Sequence, residues 1–249
     1  MSDNIKISVI IPYFHNSGTI DKAIKSVECE GYNFEIVLVD ASLTFSEDRY
    51  SFGEDLNFRV VKGDKHLEVA EARNLGVSEA RGEYVSFLDA DDWWEKGKLK
   101  KQIELMESVR DDKVRLCFTA RRLCTEDGRK TKKVIGAKEK VDYKTLLKSN
   151  FISCSSVMLR RSTALKYPMK CGDIHEDYLC WIEMLRDGGI AAGIDIPFLN
   201  YRSYKASRSG KKINSAIMTY YVYKKAGISF PKRLWYMITY TFYGIKKYV

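Results

Sequence analysis

Three carboxylates at Asp89, Asp91 and Asp92, and a second pair at Glu176 and Asp177, are the residues of this 249-residue chain best suited to chemistry. Hard oxygen donors one residue apart suit Mg2+ or Mn2+ bridging to a phosphate. A separate carboxylate can take the proton of a hydroxyl as its oxygen attacks an electrophile. The stretch EYVSFLDADDWW, residues 83–94, sets the first cluster after an apolar run, Tyr84 to Leu88, that reads as a buried strand. Acids do not belong unpaired in a core, so they are expected at the rim of a sheet, where α/β proteins bind ligands. Asp91 and Asp92 also suit the start of a helix near Lys98, and Glu176 and Asp177 suit the first turn of another. Residue type alone leaves both readings open.

The elements that must position these acids follow from apolar periodicity. Ile5–Ile11 reads as a first, central strand, ended by Pro12. A helix capped by Asn16 or Ser17 is expected to run to about Glu30, with Ile20, Ala23, Ile24 and Val27 on one face. Phe34–Val39 is a second buried strand stopping at Asp40, and residues 41–56 a loop with at most a short helix. Phe58–Val61 is a short strand and Val69–Ala80 a helix, after which Gly82 resets the chain. Helices alternating with apolar strands predict a mainly parallel sheet with right-handed crossovers, Asp40 and Asp89 sharing one rim. Downstream, Leu99–Val109 is a helix, Val114–Thr119 a strand, 125–140 a hairpin or mobile loop, Asp142–Ser149 a helix and Ser155–Leu159 a strand.

Several function classes are excluded. PYFHNSG follows the first strand, so there is no G-x-G-x-x-G dinucleotide turn, and no P-loop occurs anywhere. Three scattered histidines do not suggest zinc. Six cysteines without CxxC spacing read as reduced core thiols. The opening MSDNIKISVIIP gives no expectation of a targeting segment, and no apolar run is long enough to span a bilayer. The net charge of +9 is unevenly spread: 11 of the 42 Lys and Arg lie beyond Asp195, the last of the 33 acids. That asymmetry points to an anionic partner for the C-terminal segment.

Residues 7 to about 209 resemble a family 2 glycosyltransferase. The pieces are SVIIPYFHNSGTIDKAIKSV, FEIVLVDAS, EARNLGVSEARGEYVSFLDADDWW, SSVMLRR, HEDYLCW and YRSYKASRS, and their order and spacing carry the resemblance. It implies an α/β GT-A fold: a Rossmann-like, mainly parallel central sheet flanked by helices, here with a C-terminal helical tail. It also implies a nucleotide-diphosphate sugar donor, usually with inversion at the sugar. Carried over by motif, Pro12 and Tyr13 lie against the nucleoside, Asp40 bonds the base, and Arg73 approaches the base and diphosphate. Asp89 then contacts the ribose, Asp91 binds Mn2+ or Mg2+, and Asp92 supports the loop. Ala41 stands where relatives often have a second acid, and uridine is expected over guanosine. Asp177 is the expected general base, and Glu176 orients the acceptor or its loop. Trp93 and Trp94 are expected as walls of the sugar site, Trp181 as core. Tyr204 occupies a position where many relatives have a histidine; a protonated phenol is a poor metal ligand, so Asp91, the diphosphate and water would hold the cation. Arg202, Lys205 and Arg208 are expected to reach the diphosphate.

Residues 1–209 would then form the catalytic domain, with 1–110 the nucleotide-sugar half and 111–209 the acceptor half, and 210–249 a basic aromatic tail. In the tail, Ile213–Lys225 and Pro231–Tyr248 read as helices, the second with Leu234, Trp235, Ile238, Phe242 and Ile245 on one face. An aromatic, basic, amphipathic helix too short to span fits the interface of an anionic membrane, and a second copy of the chain is the other surface it would suit. By family analogy the acceptor is a glycan or a polyisoprenyl-diphosphate-linked sugar in surface polysaccharide synthesis, met at the cytoplasmic face of the cell membrane; nucleic acid is not expected. The competing reading is an inactive GT-A-like protein that binds anionic lipid or nucleic acid through its basic tail. The intact pair Asp91 and Asp177 argues against it.

Overall fold

The computed structural model describes residues 4–15, 18–45, 57–109, 113–204 and 212–248. In chain order the elements are β1 (Ile7–Tyr13), α1 (Ile20–Lys25), β2 (Phe34–Asp40), β3 (Phe58–Lys62), α2 (Val69–Glu79), β4 (Tyr84–Phe87), β5 (Trp93–Trp94) and α3 (Lys98–Ser108). β6 (Val114–Cys124), β7 (Lys130–Ile135), β8 (Lys140–Asp142), α4 (Tyr143–Lys148), β9 (Met158–Arg160) and α5 (Arg161–Lys166) follow. The chain closes with α6 (Glu176–Leu185), β10 (Ile190–Arg202), α7 (Lys212–Lys225) and α8 (Phe230–Tyr248). The strands join one sheet in the order β3-β2-β1-β4-β9-β6-β10-β5, with β7 on β6 and β8 on β10.

The first four strands are parallel, as the alternation of helix and strand requires. β9 is antiparallel to both β4 and β6, so the far half of the sheet is mixed. Side chains alternate between two cores. Ile7, Val9, Ile11, Ile36 and Leu38 face α1 and α3, while Ile10, Val37, Val39, Val85 and Phe87 face α2 and α6. Tyr13 stands opposite Asp40, and the Leu88 N–H donates to Ile10 O, so β1, β2 and β4 end at one rim.

Two details differ from expectation at the first strand and helix. Pro12 does not end β1, which continues through Pro12 opposite Val39 to Tyr13. Ile10 turns its backbone toward β4, so Pro12 does too, but β4 has already ended at Phe87; the missing N–H therefore costs no ladder bond. The helix expected to reach Glu30 stops at Lys25, because Ser26 Oγ donates to Ala23 O and accepts the Trp94 N–H. Its expected face is nonetheless buried, and its expected caps, Asn16 and Ser17, lie outside the described residues. β6 runs on to Cys124 because β7 pairs with it across a turn at Gly128. A 3-10 turn, Cys154–Ser156, occupies the start of the strand expected from Ser155.

The turn from α2 into β4 fixes the spacing of the parallel half. Glu35, fully buried on β2, accepts from Ser8 Oγ at 2.6 Å, Arg81 N at 2.7 Å and Arg59 Nε at 3.0 Å. One carboxylate thus ties β1, β2, β3 and the turn, the charge met by Arg59. Gly82 passes directly over β1: a Cβ there would stand 2.6 Å from Ser8 N and 2.7 Å from Ile7 C. Backbone on both sides cannot rotate away. Gly82→Ala should therefore cost roughly 2–3 kcal/mol by overpacking, about 5–10 °C in Tm for a chain of this size. Gly18→Ala, with open space around its Cβ, should stay within about 2 °C; equal melting of the two variants in calorimetry would refute the tight crossing.

Candidate active site

The rim where β1, β2 and β4 end collects the acids. Beyond β4 the chain turns at once: the Asp92 N–H donates to Asp89 O at 3.0 Å, which brings Asp89, Asp91 and Asp92 together. Asp89 N–H is held by Ser155 Oγ at 3.1 Å. Arg73, on α2 and almost fully buried, points one guanidinium nitrogen at Asp89 Oδ1 (2.6 Å) and the other at Glu176 Oε1 (2.8 Å). It is no solvated helix residue; it joins the β4 rim to the first turn of α6. Asp177 follows Glu176 there and accepts the Tyr178 N–H at 2.7 Å.

Crowding sets the protonation of these carboxyls. Burial, reinforced by the charge of Asp89, pushes Asp91 up to about 6. Burial and then Asp91 and Asp89 push Asp92 well above the ordinary carboxylate range, although its Oδ1 accepts the Arg202 N–H at 2.9 Å. Burial, with the charge of Glu176, raises Asp177 to about 7. A carboxyl poised near neutrality suits proton transfer.

The remaining expected site residues divide. Pro12 is half-buried and Tyr13 buried, its ring packed edge-on against Phe45 with centroids 5.0 Å apart. Asp40 sits at the same rim, fully buried, and its two oxygens accept from Ser42 N, Ser42 Oγ and Phe45 N. It shapes the 41–45 loop against Tyr13. Arg202 points inward: its Nε donates to Asp91 O at 3.0 Å and one Nη to Glu126 O, so it braces the acidic turn. Lys205 and Arg208 lie outside the described residues. Trp93 keeps little open surface, with Lys22 Nζ 3.3 Å and the Arg202 guanidinium 5.5 Å from its ring.

Trp94 is a correction. It packs in the core, because its Nε1–H reaches Ser155 O at 2.7 Å and Lys98 Nζ lies 3.8 Å from its ring. Trp181 is core, as expected. Sequence reasoning missed Ser155, which orients both Asp89 and Trp94; a serine before an apolar run was its only signal.

Among the described residues no three His, Cys, Asp or Glu side chains gather as a ready metal cage. The acidic turn still suits a hard cation. Asp91 offers carboxylate oxygen, and a nearby positive charge would offset the burial and the Asp89 charge that raise its pKa. Tyr204 feels the charge of Asp91, but burial first and then that charge raise its phenol, which stays protonated and is a poor ligand.

Breaking the Arg73 bridge leaves Glu176 and Asp89, with side chains 12% and 31% exposed, without the cation between them. Arg73→Met should cost roughly 3 kcal/mol, about 6–12 °C in Tm. Arg73→Lys should recover less than half of that, because an ammonium cannot fork to both acids. Thermal melts in which Arg73→Met matches wild type would remove the bridge as a structural element.

The model of the family described as "Glycosyl transferase family 2" matches residues 8–167. A Bacillus subtilis protein named for teichuronic acid biosynthesis, the glycosyltransferase TuaG, is 31% identical over 246 residues, covering 97% of this chain and 96% of that one. The Escherichia coli enzyme WfaP, named a UDP-Glc:alpha-D-GlcNAc-diphosphoundecaprenol beta-1,3-glucosyltransferase, is 28% identical over 244 residues, 97% of this chain and 95% of its own. Among solved structures, S. aureus TarS 1-349 with UDP-GlcNAc superimposes with a TM-score of 0.65 at 18% identity, over 88% of this chain and 64% of that chain. The mannosyltransferase PcManGT from Pyrobaculum calidifontis, with GDP-Man and Mn2+, gives 0.67 at 16% identity, over 91% and 65%. The fold is GT-A.

Proposed function

The chain belongs to glycosyl transferase family 2, and from that membership we propose that it transfers a sugar, with inversion, from a UDP-sugar to a hydroxyl of a glycan or polyisoprenyl-diphosphate-linked acceptor in surface polysaccharide synthesis. The observation that carries this reading is Arg73, which links the Asp89–Asp92 turn to the Glu176–Asp177 turn and so sets an acid cluster beside a carboxylate of raised pKa. Names of full-length relatives supply the donor and acceptor classes: UDP-glucose and a diphosphoundecaprenol-linked sugar.

In this reading Asp177 takes the acceptor proton as the oxygen forms its bond to C1 and the bond from C1 to the donor's diphosphate breaks. One displacement inverts C1. Asp91 would hold Mn2+ or Mg2+, which supplies positive charge against the departing diphosphate. Asp89 meets the ribose, and Tyr13 with the loop that Asp40 shapes lies against the uracil. Arg202 keeps the acidic turn in place, Glu176 orients the acceptor side, and Trp93 borders the sugar.

Residues 1–209 are the catalytic part and 210–249 the tail that meets the membrane. The inner face of α8, with Tyr236, Met237 and Tyr240, packs against the core. Its outer face leaves Trp235 61%, Ile238 66% and Phe242 65% exposed. No helix among the described residues is long and apolar enough to cross a membrane. With no acid after Asp195, an anionic bilayer at the cytoplasmic face is the surface this helix fits.

In calorimetry, UDP should bind with Mn2+ and at least tenfold more weakly in EDTA or in Asp91→Ala, with GDP weaker throughout; metal-independent binding of both nucleotides would remove the Asp91 role. Asp177→Asn should lower kcat by roughly 10²–10⁴-fold with UDP affinity nearly unchanged. Because Asp177 must be ionised to accept a proton and its pKa lies near 7, wild-type kcat/KM should fall about tenfold per pH unit below that value and level off above it; a profile flat down to pH 5 would exclude it as the base. In flotation assays the protein should bind phosphatidylserine vesicles, and Trp235→Glu with Ile238→Glu should release it without changing UDP binding; size-exclusion chromatography showing instead that these changes split a dimer would assign the face to a second copy.

A further inference from the structure

The turn that carries Asp177 lacks the cap its position calls for. His175 is the N-cap residue of α6, yet its side chain makes no capping bond to the helix. A first turn without a cap frays, and a base on a fraying turn is poorly placed. Here the missing hold comes from α7. The His175 ring nitrogen Nε2 hydrogen-bonds Ser215 Oγ at 3.1 Å, at the start of α7. On the other side of Asp177, Tyr178 is fully buried and its hydroxyl reaches Leu146 O at 2.9 Å and lies 3.2 Å from the Tyr223 hydroxyl. Tyr223 in turn donates to Leu147 O at 2.6 Å. The two phenols thus occupy the carbonyl end of α4 together, where helix carbonyls lack intrahelical partners. At the far end, Arg186 donates to Ala226 O. His175–Ser215 and Arg186–Ala226 share one sequence offset of 40, so α6 and α7 run side by side in the same direction.

We infer that α7 is a positioning element for catalysis: Ser215, through His175, and Tyr223, through Tyr178, hold the turn on which Asp177 sits. Arg73 also secures this turn, through Glu176. The inference rests on the reading of Asp177 as the base. It extends the catalytic machinery from α6 into α7, the segment that continues as the outward-facing helix α8.

The test uses the full chain with UDP-glucose and an undecaprenyl-diphosphate-linked N-acetylglucosamine as probe substrates, together with hydrogen exchange of the peptide spanning 174–182. Ser215→Ala combined with Tyr223→Phe should lower kcat about tenfold or more, since small misplacement of a catalytic group is costly. KM for the donor and UDP affinity should stay within about twofold, and exchange at 176–180 should quicken. Ser215→Thr, which keeps the hydroxyl, should behave as wild type, as should Tyr221→Ala on the exposed side of α7. If the double variant does not fold, Ser215→Ala alone carries the same comparison. Unchanged exchange at 176–180, or unchanged kcat beside an inactive Asp177→Asn, would overturn the inference alone. Near-normal turnover in Asp177→Asn would overturn the base assignment and the inference with it.

Discussion

One buried guanidinium holds this site together. Arg73 keeps its charge at any pH the fold survives, and it has two acids to satisfy, one at the end of β4 and one at the start of α6. Neither acid can leave without stranding a charge in a place that water barely reaches. The position of Arg73 is itself set by packing. A Cβ at Gly76, on the same helix, would lie 2.4 Å from Ile10 Cγ2, so α2 rests closely against β1. Strand, helix, guanidinium and the two acidic turns form a chain of contacts in which each member fixes the next.

Much of this was legible because two simple patterns dominate. β-branched runs gave β1 and β2, and an apolar run closed by acids gave β4 and the rim it feeds. The carboxylates were visible as carboxylates, and Arg73 through the family resemblance of its ARNLG stretch. The misreadings share a cause: the deciding partner lies far away in the sequence. Trp94 looks like a sugar wall until Ser155 O is found beside its N–H. Pro12 looks like a strand end until its neighbour turns out to stop first. None of these partners is local in sequence, so periodicity carries no trace of them.

The C-terminal helices show the same amphipathic logic serving two surroundings. Toward the protein, Val222, Tyr223 and Ala226 of the α7 segment join the core, and tyrosines from α6, α7 and α8 stack at centroid distances near 6 Å. Away from it, α8 shows aromatic and aliphatic side chains with lysines close by in the sequence. A helix with both faces apolar but only one covered has a second surface to find.

The placement of β9 has a consequence for the order in which the sheet can be completed. Three residues, Met158–Arg160, form the strand that lies between β4 and β6 in the ladder, pairing with both. During synthesis the parallel half and the hairpin that follows it emerge first, yet they have no seam until this short strand arrives. Until then β4 is an open edge of apolar side chains, of the kind that recruits foreign strands. The keystone of the sheet is thus one of its smallest pieces, and a chain cut short of it keeps β4 as an open edge rather than closing into a smaller sheet.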